Sequence, residues 1–154
     1  MPKEGEAVER VHVSVQRTAQ GLFRATNEAG AQIEIGTGED VFTPVELLLA
    51  ALGACSSVDP DAVISRRTEP RSFAAEVSAD YVREDENYLQ DVLIQLAVEL
   101  DDSPDTRRAA RTVERALAHA HGKTCTVART LERRTEVRAQ SEVSFTSGAE
   151  SAEN

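Results

Sequence analysis

A chain of 154 residues, 40% hydrophobic and 29% charged, is long enough for one domain with a core of its own, and a net charge of −10 argues against a general nucleic-acid binder or docking on anionic lipid. No uninterrupted apolar run approaches the roughly 20 residues of a bilayer span. The polar opening from Met1 to Glu6 lacks the apolar stretch of a signal peptide, so a cytoplasmic location is the default expectation.

Residues 1–9 read as a flexible arm, 10–139 as the folded domain and 140–154 as a disordered acidic tail. Val11, Val13 and Val15 alternate with polar residues and predict a half-buried strand. Gln20-Gly21 breaks the pattern, Leu22 to Thr26 predicts a second strand, and Gln32 to Ile35 a third. Thr43, Pro44 and Glu46 form a helix-start signature in which threonine caps, proline fills the first helical position and glutamate completes a capping box. The stretch that follows, Val45 to Cys55, is apolar on nearly every face, which predicts a buried helix. So small a chain buries such a helix most economically against a second copy, and a homodimer is expected. Pro60 is expected to kink or restart the helix, which ends near Glu69-Pro70.

Phe73 to Tyr81 and Val92 to Leu100 alternate as two long strands across a charged turn. Ser103-Pro104 opens a second helix, with Gly122 as its expected stop. Thr124 is the expected cap of a short third helix through Leu131, and Thr135 to Ala139 the last strand. The order β-β-β, helix, β-β, helix, short helix, β defines an α+β fold with a largely antiparallel sheet. Arginines at 107, 108, 111, 115, 129, 133 and 134, with Lys123, read as a solvated helix face or a local basic patch.

Chemistry concentrates on the two cysteines. Cys55 ends the apolar run, and Cys125 lies at a predicted helix start with Lys123 and His121 nearby, features that lower a thiol pKa. Two far-separated cysteines in a reducing compartment are either reduced or transiently oxidised. The alternative reading makes Cys55 a small core hydrophobe and Cys125 an incidental surface thiol. Three histidines, at 12, 119 and 121, do not compose a zinc set. No nucleophile elbow, phosphate loop or dinucleotide motif occurs, so no metal and no cofactor is expected.

The segment Thr-Pro-Val-Glu-Leu-Leu-Leu-Ala-Ala-Leu-Gly-Ala-Cys at 43–55, with Ser56-Ser57-Val58-Asp59 after it and Lys-Thr-Cys-Thr-Val at 123–127, resembles the OsmC/Ohr superfamily of thiol-dependent peroxidases over residues 10–139. The resemblance implies an intertwined homodimer with active sites at the subunit interface. It implies that Cys55 attacks an organic hydroperoxide, hydrogen peroxide being a poorer substrate. Cys125 then resolves the sulfenic acid as a disulfide, and an external dithiol resets the pair. In the peroxidase members a glutamate directly after the proline pairs with an arginine in the first hairpin. Here Val45 takes that position and Glu46 follows it, so Glu46 and Arg17, with Arg24 as fallback, are the nearest matches. Nine residues separate Glu46 from Cys55, which sets the two side chains about 180° apart on one helix, against about 80° for the ten-residue spacing. Glu46 is thus a capping carboxylate first, and reaches a thiol only in a partner chain. The same scaffold without turnover, a small-molecule-binding or redox-sensing dimer, is the alternative.

Overall fold

The computed structural model describes residues 5–133 and 135–146. The chain opens with an antiparallel meander of β1 (Val13–Ala19), β2 (Leu22–Asn27) and β3 (Gln32–Gly36), in the spatial order β1-β2-β3. Its first strand starts later than the valine alternation predicts. Val13 pairs with Asn27, the last residue of β2, so Val11 has nothing opposite it. Gly36 ends β3 at φ +153, with its Cα side so close to the Gly21 carbonyl that a Cβ would meet that oxygen at 2.1 Å. Only glycine closes the sheet there.

Helix α1 (Pro44–Ser65) begins as the capping signature predicts, with Thr43 and Glu46 bonding reciprocally. It does not restart at Pro60, which lies within the continuous helix. The expectation of a helix buried on all sides is corrected: within one chain only Leu52, Gly53, Ser56, Pro60 and Ile64 are buried. Four of these five form a single row spaced by four residues, which is one helical stripe. That stripe is what one chain can cover. By length and composition α1 would also pass for a membrane-crossing helix, a property the unbroken-run criterion missed because Asp59 and Asp61 interrupt its second half.

Strands β4 (Ser72–Val82) and β5 (Tyr88–Glu99) form a separate antiparallel hairpin. Phe73, Ala75, Val77 and Ala79 are half-buried in alternation as predicted, while Tyr81 near the strand end is exposed and Val82 half-buried. The ladder slips between Ser78↔Leu93 and Asp80↔Gln90, so β5 spends three residue steps where β4 spends two. Asp91, at φ +50, lies in that bulge, and the extra residue reverses the alternation of β5, with Ile94, Leu96 and Val98 half-buried on one side of it and Leu89 on the other. Gly53 lets α1 lie close on β4, since a Cβ there would be 2.9 Å from Val77 Cγ2.

Helix α2 (Pro104–His119) is capped by Ser103, with Thr106 returning the bond. Gly122 does not stop it. The helix widens into one π-turn, Ala120–Thr124, closed by the Cys125 N–H on the Ala120 carbonyl at 2.7 Å. That five-residue reach carries the chain past Gly122 without a left-handed residue. The cap of α3 (Thr126–Glu132) is therefore Cys125, not Thr124. The strand expected at Thr135–Ala139 is absent: residues 135–146 carry no helix or strand, and Val137 and Phe145 are exposed. The arm expected at 1–9 and the tail expected at 140–154 fall partly outside the described residues; 5–12 and 140–146 have no regular structure. The architecture is α+β with antiparallel sheets and three helices.

Candidate active site: two thiols at the junction of α1 and α3

The buried stripe of α1 and the π-turn meet around one sulfur. Leu52, Ala120, Cys125 and Ala128 form a buried cluster, with Cys55, Val77, Ile94 and Val127 packed against it. Sequence reasoning pairs Cys55 with Cys125, and the fold brings them into this one cluster, both as free thiols. Cys125 is only 1% exposed, which rules out the reading of an incidental surface thiol; Cys55 is half-buried.

Polar groups converge on the Cys125 sulfur. Ser56 Oγ stands 3.4 Å away, and the Ala128 N–H donates to it at 3.4 Å. Burial alone pushes this thiol up. The Ser56 hydroxyl, the Ala128 N–H, the Cys55 side chain and the Val127 N–H together outweigh burial and hold it below its ordinary value. Two of these are first-turn amides of α3, so the helix start predicted to favour a thiolate acts through direct bonds. Neither Lys123 nor His121 is among the groups responsible. His121 instead pairs with Glu132 at 3.0 Å, with both side chains exposed.

The loop that carries Cys125 is tied to α1 at a second point, where Thr124 Oγ1 donates to Asp59 Oδ2. Ser56 and Asp59 lie three residues apart on α1, adjacent on its surface. Sequence reasoning assigned no site role to Ser56, Asp59 or Thr124. The available signal was a serine at 56 on the stripe otherwise formed by Leu52, Pro60 and Ile64; a hydroxyl there needs a partner.

Glu46 and Arg17 are not brought to the thiols within one chain. The Glu46 carboxylate accepts the Thr43 N–H at 2.8 Å and the Thr43 hydroxyl at 2.9 Å, which hold its pKa below the usual value, the backbone bond contributing most. Arg17 lies opposite Phe23 on the sheet, exposed, with no side-chain hydrogen bond or ion pair among the described residues. The fallback Arg24 is paired with Glu34.

Beside the thiol cluster lies an apolar cavity of about 270 Å³. Leu52, Ile94 and Ala128 belong to both, Leu48 and Val92 extend the cavity outward, and the His121–Glu132 pair borders it. Among the described residues no group of three or more histidine, cysteine or acidic side chains is placed to hold a metal ion.

Fold and site together define an α+β protein with a paired-thiol centre next to an apolar cavity. Residues 36–140 match the OsmC-like protein family, which covers both cysteines, and the chain belongs to that family. An uncharacterised protein of Mycobacterium tuberculosis is 34% identical over 126 residues, covering 80% of this chain and 90% of its own length. In shape, a hypothetical protein from Aquifex aeolicus matches with a TM-score of 0.64 at 20% identity, over 80% of this chain and 88% of that one. An organic hydroperoxide resistance protein from Elizabethkingia anophelis matches with a TM-score of 0.54 at 14% identity, over 84% of this chain and 92% of that one. At these identities the two structures share the fold.

Proposed function

We propose that this protein is a homodimeric thiol peroxidase that reduces organic hydroperoxides, and hydrogen peroxide less well. The observation that carries the reading is the convergence of both cysteines on one buried cluster, with the second sulfur held below its ordinary pKa. Accessibility divides the roles. Cys55 is the half-buried thiol and meets the peroxide; Cys125 is sealed from solvent and resolves. The Cys55 thiolate takes the distal peroxide oxygen, becoming sulfenic acid and releasing an alcohol. The Cys125 thiolate attacks that sulfur, the S–O bond breaks, and hydroxide leaves as the disulfide forms. An external dithiol returns two electrons and resets both thiols. The apolar cavity suits the hydrocarbon part of an organic hydroperoxide better than it suits hydrogen peroxide. Membership of the OsmC-like family and the likeness to a hydroperoxide resistance protein support the same chemistry.

The dimer rests on α1. Ala50, Ala51, Ala54 and Val58 are exposed on a helix too apolar to stand in water, beside an open groove lined by Ala50, Gly53, Ala54, Phe73 and Ala75. The small residues Ala50, Gly53 and Ala54 on its α1 wall leave room for the α1 helix of a second copy.

Turnover of cumene hydroperoxide with a dithiol reductant tests the reading. Cys55→Ser abolishes it, and Cys125→Ser lets sulfenic and sulfinic acid build up on Cys55. Equal turnover by wild type and Cys55→Ser removes the proposal. The apolar cavity also favours a second reading, a dimer that binds an apolar ligand and senses oxidants without turnover. A second-order rate of thiol oxidation no faster than that of free cysteine would select it.

A further inference from the structure

Adjacent serines on α1 behave differently. The Ser57 hydroxyl donates to the Gly53 carbonyl one turn back at 2.7 Å, the usual resting place of a helical serine. Ser56 has the equivalent carbonyl, that of Leu52, within the same helix, yet its hydroxyl is bonded to the Cys125 sulfur across the helix junction. Ser56 is 1% exposed, so this choice is made away from water. When Cys125 is ionised it has no proton to give, and Ser56 must be the donor. The Ala128 N–H points at the same atom from the opposite element. The Asp59–Thr124 bond and the π-turn closure on Ala120 fix the loop, so the sulfur does not drift from the hydroxyl.

We propose that Ser56 is a positioning residue for the resolving step: its hydroxyl bonds the Cys125 sulfur and holds it beside Cys55, so that the disulfide closes before a second oxidation of Cys55. The inference rests on the peroxidase reading for its consequence, but the hydroxyl–thiolate contact stands apart from it. A sulfenic acid has two fates. Attack by Cys125 gives a disulfide that a dithiol reduces, whereas a second peroxide gives sulfinic acid that it does not. Near neutral pH the rate of closure rises with the thiolate fraction of the attacking sulfur, an effect only partly offset by the lower nucleophilicity of a less basic thiolate. Ser56 raises that fraction and transfers no proton itself. The other titratable groups around Cys125 are Cys55 and Asp59 on α1, His119 on α2, His121 and Lys123 in the π-turn, and Arg129 and Glu132 on α3; of these only Cys55 acts on the sulfur directly.

Two measurements on Ser56→Ala test this. The first is ultraviolet thiolate absorbance against pH in the reduced Cys55→Ser protein, with and without Ser56→Ala, with folding checked by circular dichroism. The Cys125 midpoint is expected to rise by about one pH unit on loss of the hydroxyl, as for one hydrogen bond to a charged group. The second is quenched-flow mass spectrometry of the two-cysteine protein after one equivalent of cumene hydroperoxide. Disulfide closure is expected to slow about threefold near neutral pH, the loss of thiolate being partly offset by the greater nucleophilicity of a more basic sulfur, with more Cys55 sulfinate, and to recover at a pH above the shifted midpoint. Ser56→Thr, which keeps the hydroxyl, is expected to restore closure. An unmoved midpoint, or a closure defect that persists at high pH, overturns the proposal; the latter marks simple misplacement. If Cys55 is not oxidised by the peroxide at all, the peroxidase reading fails, and the absorbance titration still decides the role of Ser56.

Discussion

Ser56 Oγ and Cys125 Sγ lie 3.4 Å apart, joining the one polar residue on the buried stripe of α1 to the N-cap of α3. This pairing makes the stability of the fold sensitive to pH. Cys125 titrates below its ordinary value in the folded chain, so its ionised form is favoured there over the unfolded state. Such a group contributes fully above the unfolded thiol pKa, about 8.5, and the contribution is lost as pH falls through the lower folded value. Urea unfolding of the reduced protein is therefore expected to show wild type gaining on Cys125→Ser as pH rises from 6 towards 9. Parallel curves for the two proteins would place the thiol in an environment no different from the unfolded chain.

Gly53 sets how close α1 comes to β4. An added methyl would stand 2.9 Å from Val77 Cγ2, inside any normal contact, and Val77 is stiff at its first side-chain torsion. Alanine improves helix propensity by up to about 1 kcal/mol, and overpacking costs about 1–3 kcal/mol, so the clash wins. Gly53→Ala is expected to lower unfolding free energy by about 1 kcal/mol. In a Val77→Ala background the same change is expected to be neutral or stabilising, because the methyl then has room. A double-mutant cycle in urea measures the coupling, and additive effects would refute the contact.

Local patterns read from the sequence survive wherever one chain supplies all the partners. The capping box at Thr43 and Glu46, the antiparallel order of the three-strand meander and the β4 alternation up to Ala79 form as the residues dictate, although Val13 and Val15 of β1 are exposed and not half-buried. Departures arise where one backbone bond or an extra residue overrides the periodic signal. Gly122 reads as a stop, yet the Cys125 N–H reaches Ala120 and draws the chain into a π-turn, which moves the α3 cap from Thr124 to Cys125. The bulge at Asp91 reverses the alternation of β5, so that Leu89 and not Gln90 is half-buried, which the even-numbered pattern of Val92 to Leu100 does not encode. The apolar residues of α1 read as buried, but one chain covers only a single stripe of that helix, and Thr135–Ala139 forms no strand. The two cysteines were legible from motif; Ser56 was not, because a serine in a helix signals nothing until its hydroxyl is seen to leave its own helix.

Glu46 is engaged by Thr43, and that engagement predicts how it responds to acid. Bonds from the Thr43 N–H and hydroxyl lower its pKa, so its stabilising effect is present above the ordinary value of 4.5 and is lost as pH falls through the lower folded one. Glu46→Gln keeps an acceptor for the cap but removes the charge. The variant is expected to match wild type in peroxide turnover and to show a shallower loss of stability in acid. Thr43→Ala removes the cap itself and is expected to cost about 1 kcal/mol at neutral pH. Abolished turnover in Glu46→Gln with an intact fold would instead place the carboxylate in the active site of a partner chain.

Ala54 offers the sharpest test of how α1 is covered. It is exposed within one chain and lines the groove between α1 and β4, among Ala50, Gly53, Phe73 and Ala75. In a monomer, glutamate at this position points into water and costs little, since surface substitutions change stability by about 0.5 kcal/mol or less. In a dimer built on α1 the same carboxylate enters a mostly apolar groove whose lining carries Glu46 but no lysine or arginine. Burying it there costs about 3 kcal/mol or more, which weakens association at least a hundredfold. Sedimentation velocity is expected to find wild type as a dimer at micromolar concentration and Ala54→Glu shifted to monomer, with thermal stability falling alongside. Because Cys55 is the next residue, peroxide turnover is expected to fall with the dimer if the active site is completed at the interface. A wild-type monomer, or an Ala54→Glu dimer as tight as wild type, would leave the apolar face of α1 to some occupant other than a second copy of this chain.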